Sequence, residues 1–127
     1  TGKGSDSERD TGIEESKDSA KASEINKNKI NFPLESFIVN LADPGGKRYF
    51  STRIVLEFSD KDSLASLEKK VPEIRDRILM ILPTKTYKEI QSVEGKDALR
   101  SSLLVALNEI LQEGKITNIF FQEFVVQ

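Results

Sequence analysis

Ile116–Gln127, ITNIFFQEFVVQ, is the stretch that decides the fold. Seven of its twelve residues are large and apolar, and three of them are Phe. A chain end left free in water frays and is normally polar. One this apolar has to be buried, as a strand inside a sheet or against a partner. Its apolar residues fall on both sides of a strict alternation, with Ile116, Phe120 and Phe124 on one and Ile119, Phe121 and Val125 on the other. An edge strand with one wet face would keep one of those sets polar. The strand is therefore expected at the centre of a sheet, or with its outer face against a neighbouring copy.

Before it, Gly95–Glu113 carries Leu99, Leu103, Ala106, Leu107, Ile110 and Leu111 at steps of three and four, which predicts a long helix. Gly114 is placed to follow its end as the C′ residue. Gly95 reads as loosening the chain ahead of that helix, with Asp97 favourable in the first turn. Thr84–Val93 predicts a short helix around Tyr87–Gln91. Further upstream, Leu64, Leu67, Val71, Ile74, Ile78 and Ile81 form one helical face. Pro72 lies inside it. Because proline suits a first helical turn and not an interior, the pattern predicts a short helix near Ser63–Lys70 and a longer one from Pro72, closed by Pro83. Ser59-Asp60 supplies the cap.

Arg48–Phe58 alternates over eleven residues, Phe50, Thr52, Ile54, Leu56 and Phe58 facing one way and Tyr49, Ser51, Arg53, Val55 and Glu57 the other. Leu34–Leu41 predicts a partner strand, and Asp43-Pro44-Gly45-Gly46 between them is a turn. The order β-β-α-(α)-α-β implies an α+β fold, an antiparallel sheet with helices packed on one face. In front of it, Thr1–Asn31 holds thirteen charged residues and no aromatic. Such composition buries too little apolar surface to offset the entropy of ordering. Residues 1–29 are expected to be a disordered lead and residues 30–127 the folded domain. The chain opens on Thr, which suggests a piece of a longer protein.

Net charge is −2 with both signs interspersed, so there is no electrostatic footprint for nucleic acid. His and Cys are both absent, which removes most transition-metal sites, imidazole bases and thiol nucleophiles. No stretch reaches the apolar length of a membrane span. The acid pairs Asp60 with Asp62, Glu73 with Asp76 and Glu109 with Glu113 fall on polar helix faces or caps and read as solvated surface. Gly95-Lys96 lacks the upstream Gly and following Ser or Thr of a phosphate-binding loop. Arg75, Arg77 and Arg100 read as surface pairing partners. Tyr49, Phe50 and the C-terminal phenylalanines would need a basic surround to act as an RNA stacking platform, so they read as core. Ser36, Ser51 and Ser92 have no His to activate them. No catalytic, cofactor-binding or metal residue is expected, nor a small-molecule substrate. What remains is surface. Ile119, Phe121 and Val125 on the double-faced final strand are the expected protein-contact face.

The run from Glu94, EGKDALRSSLLVALNEILQEGKITNIFFQEFVVQ, resembles the C-terminal half of the FliL family, flagellar basal-body-associated proteins. RYFSTRIVLEF from Arg48 and VPEIRDRILMILPTKTYKEI from Val71 resemble the preceding segments of that family. The likeness covers nearly all of residues 30–127 and none of 1–29. Pro83 stands where the family pattern would place a small polar residue, which bears on one loop. The resemblance implies a domain similar to the stomatin/prohibitin-type (SPFH-like) scaffold. It implies the periplasmic part of a single-span inner-membrane protein at the flagellar basal body, with residues 1–29 as juxtamembrane linker and the anchor outside this chain. It also implies a homo-oligomer, a ring around the stator proteins that supports their active state and torque generation. A membrane-tethered scaffold of the same fold without a flagellar role is the alternative. An enzyme on an α+β scaffold is a third class, which would require a cleft with converging carboxylates.

Overall fold

The computed structural model describes residues 29–112 and 114–127, so the expected lead lies almost wholly outside the described residues. Four strands and three helices follow in the order β1 (Ile30–Pro33), β2 (Phe37–Asn40), β3 (Tyr49–Phe58), α1 (Lys61–Ile81), a 3-10 turn (Leu82–Thr84), α2 (Tyr87–Ile90), α3 (Val93–Ile110) and β4 (Ile116–Val126). The α+β class and the antiparallel sheet with helices on one face match the sequence reading.

All pairing runs through β3. One of its edges takes β4 over its whole length, from Phe50 opposite Val126 to Phe58 opposite Ile116. Its other edge takes two short strands end to end, β1 against Val55–Phe58 and β2 against Tyr49–Thr52. Two expectations are corrected here. Leu34–Leu41 is not one strand: the Leu34–Ser36 segment lies between β1 and β2, and the paired chain begins earlier, at Ile30. And β4 is not central, because it pairs with β3 alone; β3 holds the middle.

The reason β4 looked double-faced is geometric. Gln122 and Thr117 are extra residues against β3, one between the Arg53–Glu123 and Ile54–Phe121 pairs, the other between Glu57–Asn118 and Phe58–Ile116. Each bulge shifts the alternation by one. Ile116, Ile119, Phe121, Phe124 and Val126 thereby all lie opposite the inward residues Phe58, Leu56, Ile54, Thr52 and Phe50. Apolar residues of both parities reach one face.

The core lies between that face and the helices. Phe37, Phe50, Ile54, Leu56 and Phe58 from the sheet meet Leu67, Ile74 and Ile78 of α1 and Leu99, Leu103 and Leu107 of α3. α1 is one continuous helix, which corrects the expected break at Pro72. Pro72 is on the exposed side, where the carbonyl it leaves without a helical partner opens to water. Asp60 caps α1 by accepting the Ser63 amide at 2.7 Å. α3 starts two residues earlier than expected, at Val93, because Ser92 caps it through the Gly95 amide. Gly95 is not a loosening residue: a Cβ there would collide with the Glu89 carbonyl oxygen, so glycine is what lets α3 start against α2. Gly114 has φ +86°, but α3 ends at Ile110, so it serves the turn into β4 and not the helix end. There it presses on buried Ser63, whose Oγ accepts the Lys115 amide at 2.9 Å.

Candidate interaction surface

The residues weighed for chemistry end up dispersed. Asp60 is spent as a cap, Glu73 pairs with Lys70 at 3.4 Å, and Glu109 pairs with Arg77 at 3.2 Å across α1 and α3. Glu113 lies outside the described residues. Among the described residues, no group of three or more acids, His or Cys is placed to hold a metal ion. Lys96 donates to the Gln91 carbonyl at 3.0 Å and lies over the Phe124 ring.

The arginines do more than the surface pairing expected of them. Arg75 reaches from α1 to the β1–β2 break, donating to the carbonyls of Glu35 at 2.8 Å and Ser36 at 3.4 Å with its guanidinium over Phe37. Arg100 donates through Nε to the Ile119 carbonyl at 3.0 Å and pairs with Asp97. Arg75 ties α1 to the backbone between β1 and β2, and Arg100 ties α3 to β4, each 19 or more residues away in sequence, contacts that helical spacing alone does not announce.

The face of the sheet away from the helices is the distinctive surface. No described element covers it. Ile38 (70% exposed), Tyr49, Phe120 (39%) and Val125 (47%) stand on it. Ile38, Ser51 and Val125 form one row across β2, β3 and β4, and with Tyr49 and Gln127 they line a shallow depression. A second row is Pro33, Val55 and Phe120. Val55, expected on an open polar side, is only 7% exposed because these neighbours flank it. Between the rows, Arg53 is opposite Glu123, an opposite-charge cross-strand pair. The expected contact residues separate: Ile119 is fully buried, Phe121 faces inward and half-buried beside Phe124, and Val125 alone stands on the outer face.

Comparison with known proteins decides what this architecture is. The family model "Flagellar basal body-associated protein FliL" matches residues 31–127. The chain belongs to the FliL family. Among curated relatives, the flagellar protein FliL of Aquifex aeolicus is 44% identical over 91 residues, 72% of this chain and 56% of that protein. The FliL of Bacillus subtilis is 28% identical over 74 residues, 58% of this chain and 53% of the relative. That of Escherichia coli K12 is 24% identical over 102 residues, 77% and 65%. The chain thus spans just over half to about two thirds of the length of these relatives. Membership gives it a place among flagellar basal-body proteins, as the sequence resemblance implied. No described helix is long and apolar enough to cross a membrane.

Proposed function

We propose that this domain is a non-enzymatic scaffold of the bacterial flagellar motor, one that assembles with copies of itself around the stator proteins and favours their active, torque-generating state. The observation that carries the reading is membership of a basal-body family over residues 31–127, joined to a molecule whose open feature is an apolar-studded sheet face. Apolar residues grouped on an otherwise polar surface mark protein contact.

In this reading residues 30–127 form a periplasmic SPFH-like domain of an inner-membrane protein. Residues 1–29, almost all outside the described residues, serve as the juxtamembrane linker to an anchor beyond this chain. Neighbouring domains meet through unlike surfaces, which gives a ring. A ring that encloses the stator shifts it towards activity only by binding the active state more tightly.

The test is light scattering on the chain free in solution and tethered by its N-terminus to vesicles, with capture of the stator's periplasmic region as a second readout. Tethering raises the effective concentration that the anchor would supply. Concentration-dependent assembly with retention of the stator region is expected. A tethered domain that stays monomeric and passes the stator region unbound overturns the proposal.

A further inference from the structure

Each edge of the sheet carries a short stretch of outward backbone groups without a partner among the described residues, and the two stretches, one on β4 and one on β2, lie at the same height. Tyr49 and Gln127 exchange both backbone hydrogen bonds, at 2.9 and 3.0 Å. Alternation of bonded and non-bonded pairs along an antiparallel ladder then turns the amides and carbonyls of Phe124 and Val126 away from β3. The same holds for Ile116, Ile119 and Phe121 further along, and of these Ile116 and Ile119 are occupied. Asn108 bonds both the amide and the carbonyl of Ile116, at 2.7 and 3.0 Å. Arg100 takes the Ile119 carbonyl, and the Asn118 side chain takes the Ile119 amide at 2.8 Å. Phe124 and Val126 have no such partner among the described residues.

The opposite edge repeats the pattern. Leu41 bonds the Arg48 carbonyl, so the neighbouring outward groups on β2 belong to Ile38 and Asn40. Below them Arg75 takes the Ser36 carbonyl, and above them the Ala42 amide is bonded to the Lys85 carbonyl at 2.8 Å. The backbone groups of Ile38 and Asn40 are left without a partner among the described residues. An edge whose backbone groups are unpaired is a template for another strand.

We infer that the open stretch of β4, Phe124–Val126, pairs in parallel with the open stretch of β2, Ile38–Asn40, of a second copy. The inference rests on the self-assembly reading and names its interface. Strands β2 and β4 both run antiparallel to β3, so continuing the sheet into a copy of the same orientation makes their contact parallel. With Val126 beside Val39 of the neighbour, its amide meets the Ile38 carbonyl and its carbonyl meets the Asn40 amide. The faces agree in this register. Phe124 and Val126, which pack inward, fall beside inward Phe37 and Val39, and exposed Val125 falls beside exposed Ile38. Glu123 falls beside Ser36, so no like charges meet. The contact joins unlike edges, and so it leaves each copy one edge for the next.

Cysteine cross-linking tests this directly, because the chain has no Cys of its own. Within one copy Ile38 and Val125 sit two strand spacings apart, about 10 Å, beyond disulfide reach; across the inferred contact they are about 5 Å apart, within it. The full chain tethered to vesicles and mildly oxidised as Ile38→Cys/Val125→Cys is expected to give a ladder of reducible multimers. Either single variant is expected to remain uncross-linked. Ile38→Pro deletes an outward amide without touching the β3 ladder and is expected to cut assembly at least tenfold with an unchanged far-ultraviolet spectrum. Should it misfold, the cysteine pair still decides. Dimers from Val125→Cys alone would mean that β4 pairs with β4 and would overturn the inference. Assembly by light scattering without 38–125 cross-links overturns this interface and leaves self-assembly standing, whereas absence of both removes the two together.

Discussion

At Gly95 and Val125 single side chains separate packing from surface. A methyl group at Gly95 would strike the Glu89 carbonyl oxygen, and that oxygen belongs to backbone that cannot rotate aside. Gly95→Ala is therefore expected to destabilise the domain by about 1–3 kcal/mol, despite alanine's better helix propensity. In a thermal melt this is a fall of several degrees; an unchanged or raised midpoint would show that α2 and α3 have room between them. Phe121 and Val125 are a sharper pair, since they sit four residues apart on one strand and on opposite faces. Phe121→Glu puts a charge beside Phe124 and the core and should cost about 1–3 kcal/mol. Val125→Lys changes only the outer face and should leave stability within about 0.5 kcal/mol while abolishing assembly. A Val125→Lys protein that assembles as before removes this residue from the contact surface.

Among the elements, α1 is the one whose sequence argues against its own continuity. Pro72 denies it one hydrogen bond in the middle of 21 residues. The helix persists because burial of Leu67, Ile74 and Ile78 on either side of the proline outweighs a local defect of about 3 kcal/mol that faces water. Pro72→Ala should then raise stability by about 1–3 kcal/mol, the regained helix bond being offset in part by a freer unfolded chain. Denaturant unfolding would read the shift in midpoint, and a loss of stability would mean that the proline shapes the helix for packing. In β4 the discrepancy has the opposite origin. Its residues alternate as though two faces were apolar, and two bulges gather them onto one. Period-two reading assumes an unbroken register, and nothing local in Thr117 or Gln122 announces that an extra residue is inserted there. The break between β1 and β2 was not legible, because it falls inside the single expected strand Leu34–Leu41, and neither was Arg75 travelling from α1 to tie it down.

For the molecule as a whole, the buried residues of the described core run from Leu34 to Ile119 and contact one another within a single cluster. A chain cut to residues 29–127 should accordingly keep the thermal midpoint of the full chain within about 2 °C, a shift worth well under 1 kcal/mol. A larger drop would show that the charged lead contributes to the fold and would defeat its reading as a linker. Legible from residue order alone were the α+β class, the inward face of the central strand, the two long helical faces and the kinship with a flagellar family. Those properties are written in periodicity, composition and residue order, which act over a few residues at a time. It took the folded chain to make β4 an edge strand, to make it one-faced through its bulges, and to bring Arg75, Arg100 and Asn108 onto parts of the β1–β2 connection and the β4 edge while leaving level gaps. Each of these depends on which backbone groups from distant parts of the chain come within hydrogen-bonding reach, and that is set by the packing of helices on the sheet, not by any local preference.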